Sequence, residues 1–282
     1  MSTETASLEN QVSNEELIHE NTLYAEPIAH IGSFAITNSL MTSGLALIIV
    51  IILSVAIGHK IKKVPTGLQN VMEMIIEGFL GIFDGVTGSR KRSLKFAPIV
   101  LTFFFFILIN NWLGIIPGVG SIGQVVMMNG EKFFIPYLRG GTADLNTTLA
   151  LATIGVVLSH IIGVITLGGW NYLNKFINIK AILEIPAKVK KDPVILLVNP
   201  IKVFVGFIEI IGELAKVVSL SFRLFGNVFA GEVLLASMSA ILAFGIPIPF
   251  LFLEILVGLI QALIFAMLIL TYLTINTTAE EH

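Results

Sequence analysis

The fold is decided by residues 194–232, which read VILLVNPIKVFVGFIEIIGELAKVVSLSFRLFGNVFAGE. The stretch is apolar overall, but eight polar side chains interrupt it: Asn199, Lys202, Glu209, Glu213, Lys216, Arg223, Asn227 and Glu232. At about 100° per residue, the six from Lys202 to Asn227 fall within about 80° of one helix face. Such a face cannot lie against lipid, where each charged group costs about 2.5–3.5 kcal/mol at the centre of a helix. We therefore expect it to meet water, a partner protein or another polar helix.

The rest of the chain has the composition of a membrane protein. Of its 282 residues, 55% are hydrophobic and only 13% are charged, whereas ordinary soluble domains carry about 25% charged residues. About 20 apolar residues span the hydrocarbon core of a bilayer, and five uncharged runs reach that length: 27–59, 96–130, 145–174, 233–253 and 255–279. The sequence predicts an all-α polytopic membrane protein of five to six helices. A cytosolic enzyme, a nucleic-acid binder and a disordered chain are excluded.

The sequence contains no convincing motif for a cofactor or a metal. The chain has no cysteine, which excludes disulfides, thiolate nucleophiles and iron–sulfur clusters. Residues 118–123 read GVGSIG and match the letters of a dinucleotide fingerprint, but no βαβ unit can be drawn around them. The sequence contains neither a Gly-Lys dipeptide nor a His-Glu-x-x-His motif, and its five histidines are scattered. We expect no cofactor and no metal.

The basic residues orient the chain in the membrane. Seven lie between the first and second apolar runs and five follow the third, but only Lys132 and Arg139 lie between the second and third. The positive-inside rule then places loops 59–95 and 170–193 in the cytoplasm and loop 118–145 outside.

The same rule places the two termini on opposite sides. Residues 1–39 form an acidic tail that we expect outside, and residues 40–282 form a single membrane domain. Five crossings put the C-terminus in the cytoplasm, and a sixth would require residues 236–275 to form a broken hairpin. The tail resembles neither a cleavable signal nor a transit peptide, which favours the inner membrane of a bacterium.

Loop 59–95 contains a helical pattern. After Pro65 its apolar residues recur at helical spacing: Leu68, Met72, Ile75, Phe79, Ile82 and Phe83. The pattern predicts a short amphipathic helix that lies on the inner surface or against a partner. A solvated connector with one hydrophobic side fits the same residues.

Arg223 is the most unusual of the polar residues, because no Lys or Arg follows it in the rest of the chain. Arginine stays protonated at any accessible pH, so Arg223 is a fixed positive charge within an apolar setting. Glu232 lies about 180° around the same helix. Glu254 lies on the next apolar segment, with Gln261 seven residues on and on the same face.

Structural interpretations of these residues stay open at this stage. The charged residues from Lys202 to Lys216 have spacings that let them neutralise one another in part. Arg223 could reach the membrane surface or pair with a buried carboxylate. Glu232 and Glu254 could be carboxylates at helix ends, and Gln261 could simply join two helices.

The sequence motifs nevertheless resemble one family. Residues 219–232, SLSFRLFGNVFAGE, are similar to the signature segment of ATP synthase subunit a, the stator channel subunit of the membrane (Fo) sector. Further similar segments are VPTGLQNVME at 64–73, NNWLGIIP at 110–117, TADLNTTL at 142–149, the Asn199-Pro200 pair and Gln261-Ala262. Together they cover the chain from about residue 40 to its end.

The resemblance implies a particular architecture. The last two long helices would lie strongly tilted and face a rotating ring of c subunits. Arg223 would face the carboxylates of that ring, between two half-channels that are offset sideways and open on opposite sides of the membrane. Residues at the half-channels and the ring interface would be Asn227, Glu232, Glu254 and Gln261, with Asp144 and Asn146 lining the outer half-channel. Some relatives pair Glu with His at positions 232 and 254, whereas this chain has Glu at both.

The resemblance also implies partners and leaves two alternatives. The partners would be the c-subunit ring, the peripheral-stalk b subunits, the lipid bilayer and a translocated proton or Na⁺, without nucleic acid. The chain itself would bind no nucleotide and would not be an enzyme alone. An ion-coupled secondary transporter also places charges in the membrane, but no internal repeat is found. A non-conducting scaffold subunit would use the polar face only for docking.

Overall fold

Helices form most of the chain. The computed structural model describes residues 22–58, 64, 67–116, 118–128, 131–177, 195–242 and 245–278. Its elements, in chain order, are β1 (Pro27–Ile31), β2 (Phe34–Thr37), α1 (Asn38–Gly58), α2 (Leu68–Thr87), α3 (Arg90–Ile115), β3 (Gly123–Met128), β4 (Glu131–Pro136), α4 (Leu145–Leu167), α5 (Gly169–Ile177), α6 (Ile195–Ile241) and α7 (Pro247–Thr277).

Among the helices that the structure describes, α1, α3, α4 and α7 are long and apolar enough to cross a membrane, which confirms the prediction of a polytopic helical membrane protein. Helix α6 has 47 residues. At 1.5 Å per residue a helix of that length extends about 70 Å, more than twice the thickness of the hydrocarbon core. Helix α6 therefore cannot lie wholly in the hydrocarbon core along the membrane normal, in agreement with the tilt that the resemblance implies.

The boundary between α6 and α7 differs from the sequence expectation. Helix α6 ends at Ile241 and α7 begins at Pro247, where a proline is favoured because its missing N–H needs no partner in the first turn. Gly245 in the connection has a φ of 102°, a conformation that side chains disfavour. The uncharged run 233–253 therefore does not form a helix of its own, and Glu254 lies within α7.

The helix predicted after Pro65 is confirmed as α2. Leu80 and Phe83 are buried, and the ring of Phe79 lies 4.6 Å from that of Phe104 on α3. Helix α2 thus packs against α3 and is not a solvated connector, although Leu68 at its start and Ile82 remain exposed. The next helix starts at Arg90, so the basic residues Arg90, Lys91, Arg92 and Lys95 are helical.

Two antiparallel hairpins were not expected. Strands β1 and β2 pair at the end of the predicted tail, and β3 and β4 pair within the predicted outer loop. In the second hairpin Gly123 allows close approach, since a Cβ there would overlap the backbone carbonyl of Ile135. The strand at 123–128 is uncharged and continues the apolar run of α3, which is why composition did not separate it from a membrane helix.

The chain divides into two compact units. The described residues of the first unit are 22–55, 106–116, 118–128, 131–147, 225–242 and 245–261, and those of the second lie in 56–105, 148–224 and 262–278. The single membrane domain at 40–282 and the assignment of loops to the two sides of the membrane stay predictions. Most of the predicted tail, much of loop 170–193 and the side chain of Lys202 lie outside the described residues.

Candidate functional site

The middle of α6 carries a cation on an exposed face. Arg223 and Asn227 are both exposed. The other exposed residues on this side are Ser219, Gly226 and Ala230. Leu224 and Ser221 are buried, and the Ser221 hydroxyl lies 3.2 Å from the hydroxyl of Thr148 on α4. The Arg223 side is therefore the exposed side of this stretch of α6, and Ser221 lies on the packed side.

The earlier part of the polar face is paired internally. Lys216 Nζ donates to Glu213 Oε1 over 2.6 Å, one turn apart on α6. This contact confirms for one pair the expectation that the charges between 202 and 216 neutralise one another in part. The pair belongs to the second unit.

In the first unit, Glu232 binds an arginine that the sequence analysis did not single out. Arg139, just before α4, donates from Nε to Glu232 Oε1 over 2.9 Å and from Nη2 to Glu232 Oε2 over 2.8 Å. Its remaining donors reach the backbone oxygens of Thr22 and Tyr24 ahead of β1. The Arg139 side chain is only 5% exposed. A two-point guanidinium–carboxylate contact is the strongest and most directional form of ion pair.

A cavity of about 190 Å³ lies beside this ion pair and is lined by both Glu232 and Glu254. The volume is sufficient for several water molecules, each of which occupies about 30 Å³ in the liquid. Glu254 is 7% exposed, and it forms no ion pair with any residue that the structure describes. Its carboxyl lies so close to Gly231 that a Cβ on that residue would overlap it. Because Gly231 has no side chain, the Glu254 carboxyl can pack against the backbone next to Glu232.

Polar residues at the end of α3 hold the segment of α7 that contains Glu254. Asn111 Nδ2 donates to the backbone oxygen of Gly258 over 3.0 Å, and Trp112 Nε1 donates to that of Ile255 over 3.2 Å. Thr142 in turn donates to Asn111 Oδ1. The NNW and TAD segments noted in the sequence therefore act as a polar frame around one wall of the cavity.

Asp144 is an N-cap of α4. Its Oδ1 accepts from the backbone N–H of Asn146 over 3.2 Å, and its Oδ2 accepts from the Thr147 hydroxyl. A carboxylate in this position satisfies one of the free N–H groups in the first helical turn. Asp144 is buried, whereas Asn146 is exposed, and neither residue lines the cavity.

The structure brings together two of the predicted site residues, Glu232 and Glu254. Arg223 and Asn227 share the exposed face of α6, and Gln261 is half-buried on α7 away from the cavity wall. The roles of all these residues remain predictions. Sequence reasoning missed Arg139 because it was counted only as a loop charge. One signal could have identified it. A carboxylate such as Glu232 in an apolar setting requires a cation, and the predicted outer loop has only two basic residues, Lys132 and Arg139.

These features define a helical membrane protein that has a carboxylate-lined cavity in its first unit and, in its second unit, a fixed cation on an exposed helix face. Comparison with known proteins narrows the class. The family model for the ATP synthase A chain matches residues 39–274, so the chain belongs to that family.

Curated relatives agree with the family model. The chain is 31% identical to ATP synthase subunit a of Trichlorobacter lovleyi over 250 residues, which cover 89% of this chain and 91% of the relative. It is 33% identical to that of Geobacter sulfurreducens over 84% of this chain and 86% of the relative. It is 36% identical to that of Syntrophobacter fumaroxidans over 75% and 72%, respectively.

Proposed function

We propose that this chain is the proton-conducting stator subunit of an ATP synthase, and that Arg223 faces the carboxylates of a rotating c ring. The observation that carries the proposal is that an arginine, Arg223, is an exposed residue in the middle of an apolar helix. Lipid is an unfavourable neighbour for such a group. A partner with carboxylates in the membrane is therefore the neighbour that suits it best.

The chemistry of a ring carboxylate explains why a fixed cation is needed. A carboxylate can move through lipid only when it is protonated or otherwise compensated, because a bare anion there is too costly. The Arg223 guanidinium favours the ionised form as the carboxylate passes. Protons must then leave the ring on one side of Arg223 and bind on the other, so that the ring turns. One charge that crosses 100 mV releases about 2.3 kcal/mol to drive this motion.

The cavity of the first unit suits one of the two half-channels. Two carboxylates in a space that can hold water can pass protons one at a time. Glu232 has its charge compensated by Arg139, whereas Glu254 faces the cavity without an ion pair among the described residues. We assign the exchange of protons with cavity water to Glu254, and we place the Glu232–Arg139 pair in the lining of the same half-channel. Asn227 and Gln261 belong to the ring interface in this proposal, and Asp144 and Asn146 to the outer entrance.

The setting follows from the same family. The expected partners are the c ring and the peripheral-stalk b subunits. The expected location is the inner membrane of a bacterium, with the N-terminus outside and the C-terminus in the cytoplasm. The ATP itself would be made elsewhere in the complex, so the chain would not be an enzyme alone.

The test is Arg223→Ala in the assembled complex. Measured in inverted membrane vesicles, ATP-driven proton pumping and ATP synthesis should both be lost, with normal content of the subunit. Arg223→Lys should fail or nearly so, because lysine lacks the planar guanidinium and can lose its proton when desolvated. The matched control is Arg90→Ala, which removes an exposed arginine paired with Glu77 on α2 and should leave pumping unchanged. Wild-type pumping by Arg223→Ala would contradict the proposal and favour a scaffold role.

A further inference from the structure

The second unit contains a second set of titratable residues, which meet between three helices. His160 on α4 lies between Tyr172 on α5 and Glu213 on α6. Its Nδ1 is 2.5 Å from the Tyr172 hydroxyl, and its Nε2 is 3.3 Å from Glu213 Oε2. Lys216 occupies the other oxygen of Glu213. We call His160, Tyr172, Glu213 and Lys216 the histidine cluster.

The Tyr172 contact favours one tautomer of the neutral His160 ring. Burial, with the negative charges of Glu213 and Glu209, raises the pKa of Tyr172 to about 12. The hydroxyl is therefore protonated near neutral pH and can donate to His160 Nδ1. A neutral imidazole that accepts at Nδ1 carries its proton on Nε2, the nitrogen that lies 3.3 Å from Glu213 Oε2.

One carboxylate oxygen of Glu213 is available to accept that proton. Its Oε2 is buried and has no partner with hydrogen-bond geometry in the part of the chain that the structure describes. The lysine fixes the carboxylate through Oε1, so Oε2 is held toward the imidazole. An acceptor held beside a histidine nitrogen is the arrangement that short proton transfers require.

Charged groups face the histidine cluster from α6. They are the carboxylates of Glu209 and Glu213 and the ammonium group of Lys216. The ring of Tyr272 on α7 lies 5.1 Å from Lys216 Nζ, and the positive charge of Arg223 acts on the same tyrosine. With Arg223 included, these charges add to zero.

We propose that His160 is a proton-exchange residue, the titrating member of a separate segment of the proton path. The step is a proton transfer only. Nδ1 takes a proton from water on the Tyr172 side while the hydroxyl turns from donor to acceptor, and Nε2 releases one to Glu213 Oε2 or to water. This inference rests on the proposed function, because only proton flow through the chain gives the histidine cluster a task. It places the exchange on imidazole in the second unit, whereas the first unit offers carboxylates.

The test is His160→Gln in the assembled complex, because the Gln amide can accept and donate hydrogen bonds but cannot carry a proton. Passive proton flux through vesicle membranes stripped of the ATP-hydrolysing part should fall about tenfold per assembled complex. That is less than the roughly hundredfold or more of a positioned proton-transfer group, since water can replace part of the path. The variant should also lose the change in flux between about pH 5.5 and 8, the range in which histidine ordinarily titrates.

Two further variants separate a proton carrier from a brace between helices. The control His30→Gln removes a histidine that is exposed on β1 and should leave flux unchanged. Tyr172→Phe keeps the imidazole and should keep the pH dependence with a smaller loss of flux. If His160→Gln conducts like the wild type at every pH while Arg223→Ala still blocks pumping, the inference fails and the proposed function stands. If Tyr172→Phe also loses the pH dependence, the hydroxyl and not His160 carries the proton, and the assignment is wrong.

Discussion

Each of the two units holds one carboxylate of α6 beside a cation, but the two are held differently. In the first unit Glu232 receives both of its contacts from a single arginine, Arg139. In the second unit one oxygen of Glu213 contacts Lys216 and the other lies beside His160. Arginine keeps its charge at any accessible pH, whereas histidine titrates near neutrality.

This difference underlies our two assignments of proton exchange. In the first unit both oxygens of Glu232 already accept from Arg139, and we assign the exchange to Glu254. In the second unit Lys216 holds Glu213 in place, and we assign the exchange to the His160 imidazole. The first unit would then respond to pH through a carboxyl group and the second through an imidazole.

The largest effect on stability should come from removing the cation beside each carboxylate, Arg139 in one variant and Lys216 in another. Arg139→Ala leaves Glu232 without its partner and should cost about 3 kcal/mol, at the lower end for a broken buried pair because Glu232 is part-exposed. Lys216→Ala leaves Glu213 beside His160, which can take up a proton, and should cost about 1 kcal/mol. Thermal inactivation of the purified complex measures both. A loss for Lys216→Ala as large as that for Arg139→Ala would contradict the comparison.

One glycine in each unit provides a test of the packing around its titratable residues. A Cβ at Gly231 would overlap the Glu254 carboxyl, and one at Gly163 would overlap the Tyr172 ring and the backbone of α7. Forcing an extra methyl into such places costs about 1–3 kcal/mol. We expect Gly231→Ala to lower pumping and Gly163→Ala to reduce the pH dependence of flux near neutrality. Gly78→Ala on α2, with open space around it, is the control. The assignments fail if the two variants have each other's phenotype.

The two carboxylates of the first unit should contribute unequally to proton flux. Glu254→Gln should reduce proton flux by up to about tenfold, because it removes the group that exchanges protons. Glu232→Gln should reduce flux less, since its amide oxygen can still accept from Arg139. Flux is measured from about pH 6 to about 9, where an unperturbed glutamate is ionised. Wild-type flux through the double variant would rule out the carboxylate relay.

The smallest effect concerns Asp144, which lies in the first unit but outside the cavity wall. Asp144→Asn should retain flux and stability because asparagine caps a helix as well as aspartate does, whereas Asp144→Ala should cost about 1 kcal/mol. The readouts are proton flux and thermal inactivation. A loss of flux in Asp144→Asn at normal stability would show that the outer entrance needs a carboxylate at this position and not only a polar side chain.

Helical periodicity predicted those parts of the fold that depend on local order. Spacing made two features evident, the position of Arg223 and Asn227 on one side of α6 and the helix after Pro65, because residues three and four apart share a helix face. The hairpin at 123–136 was not evident, since one of its strands is uncharged and continues an apolar run. The break at Gly245 was likewise hidden between two apolar segments.

The partners within the candidate site could not be predicted. Arg139 and Glu232 are 93 residues apart, and His160 and Glu213 lie on different helices, so no local pattern links them. Such pairs form only when helices pack, and a scattered histidine in the sequence resembles any other polar residue of an apolar helix. The sequence could indicate that buried charges need partners, but the fold decides which ones meet.

The central claim, that the Arg223 side of α6 faces the rotor, is tested most directly by cross-linking. The chain has no native cysteine, so single cysteines can be placed at Ser219 and Ala230 on the exposed side and at Ser221 and Val228 on the packed side. Disulfides form only when Cα atoms come within about 7 Å. The account predicts disulfides with cysteines on a c-subunit helix at Ser219 and Ala230, and poor reaction at Ser221 and Val228. Uniform reaction around the helix, or stronger reaction at Ser221 and Val228, would contradict it.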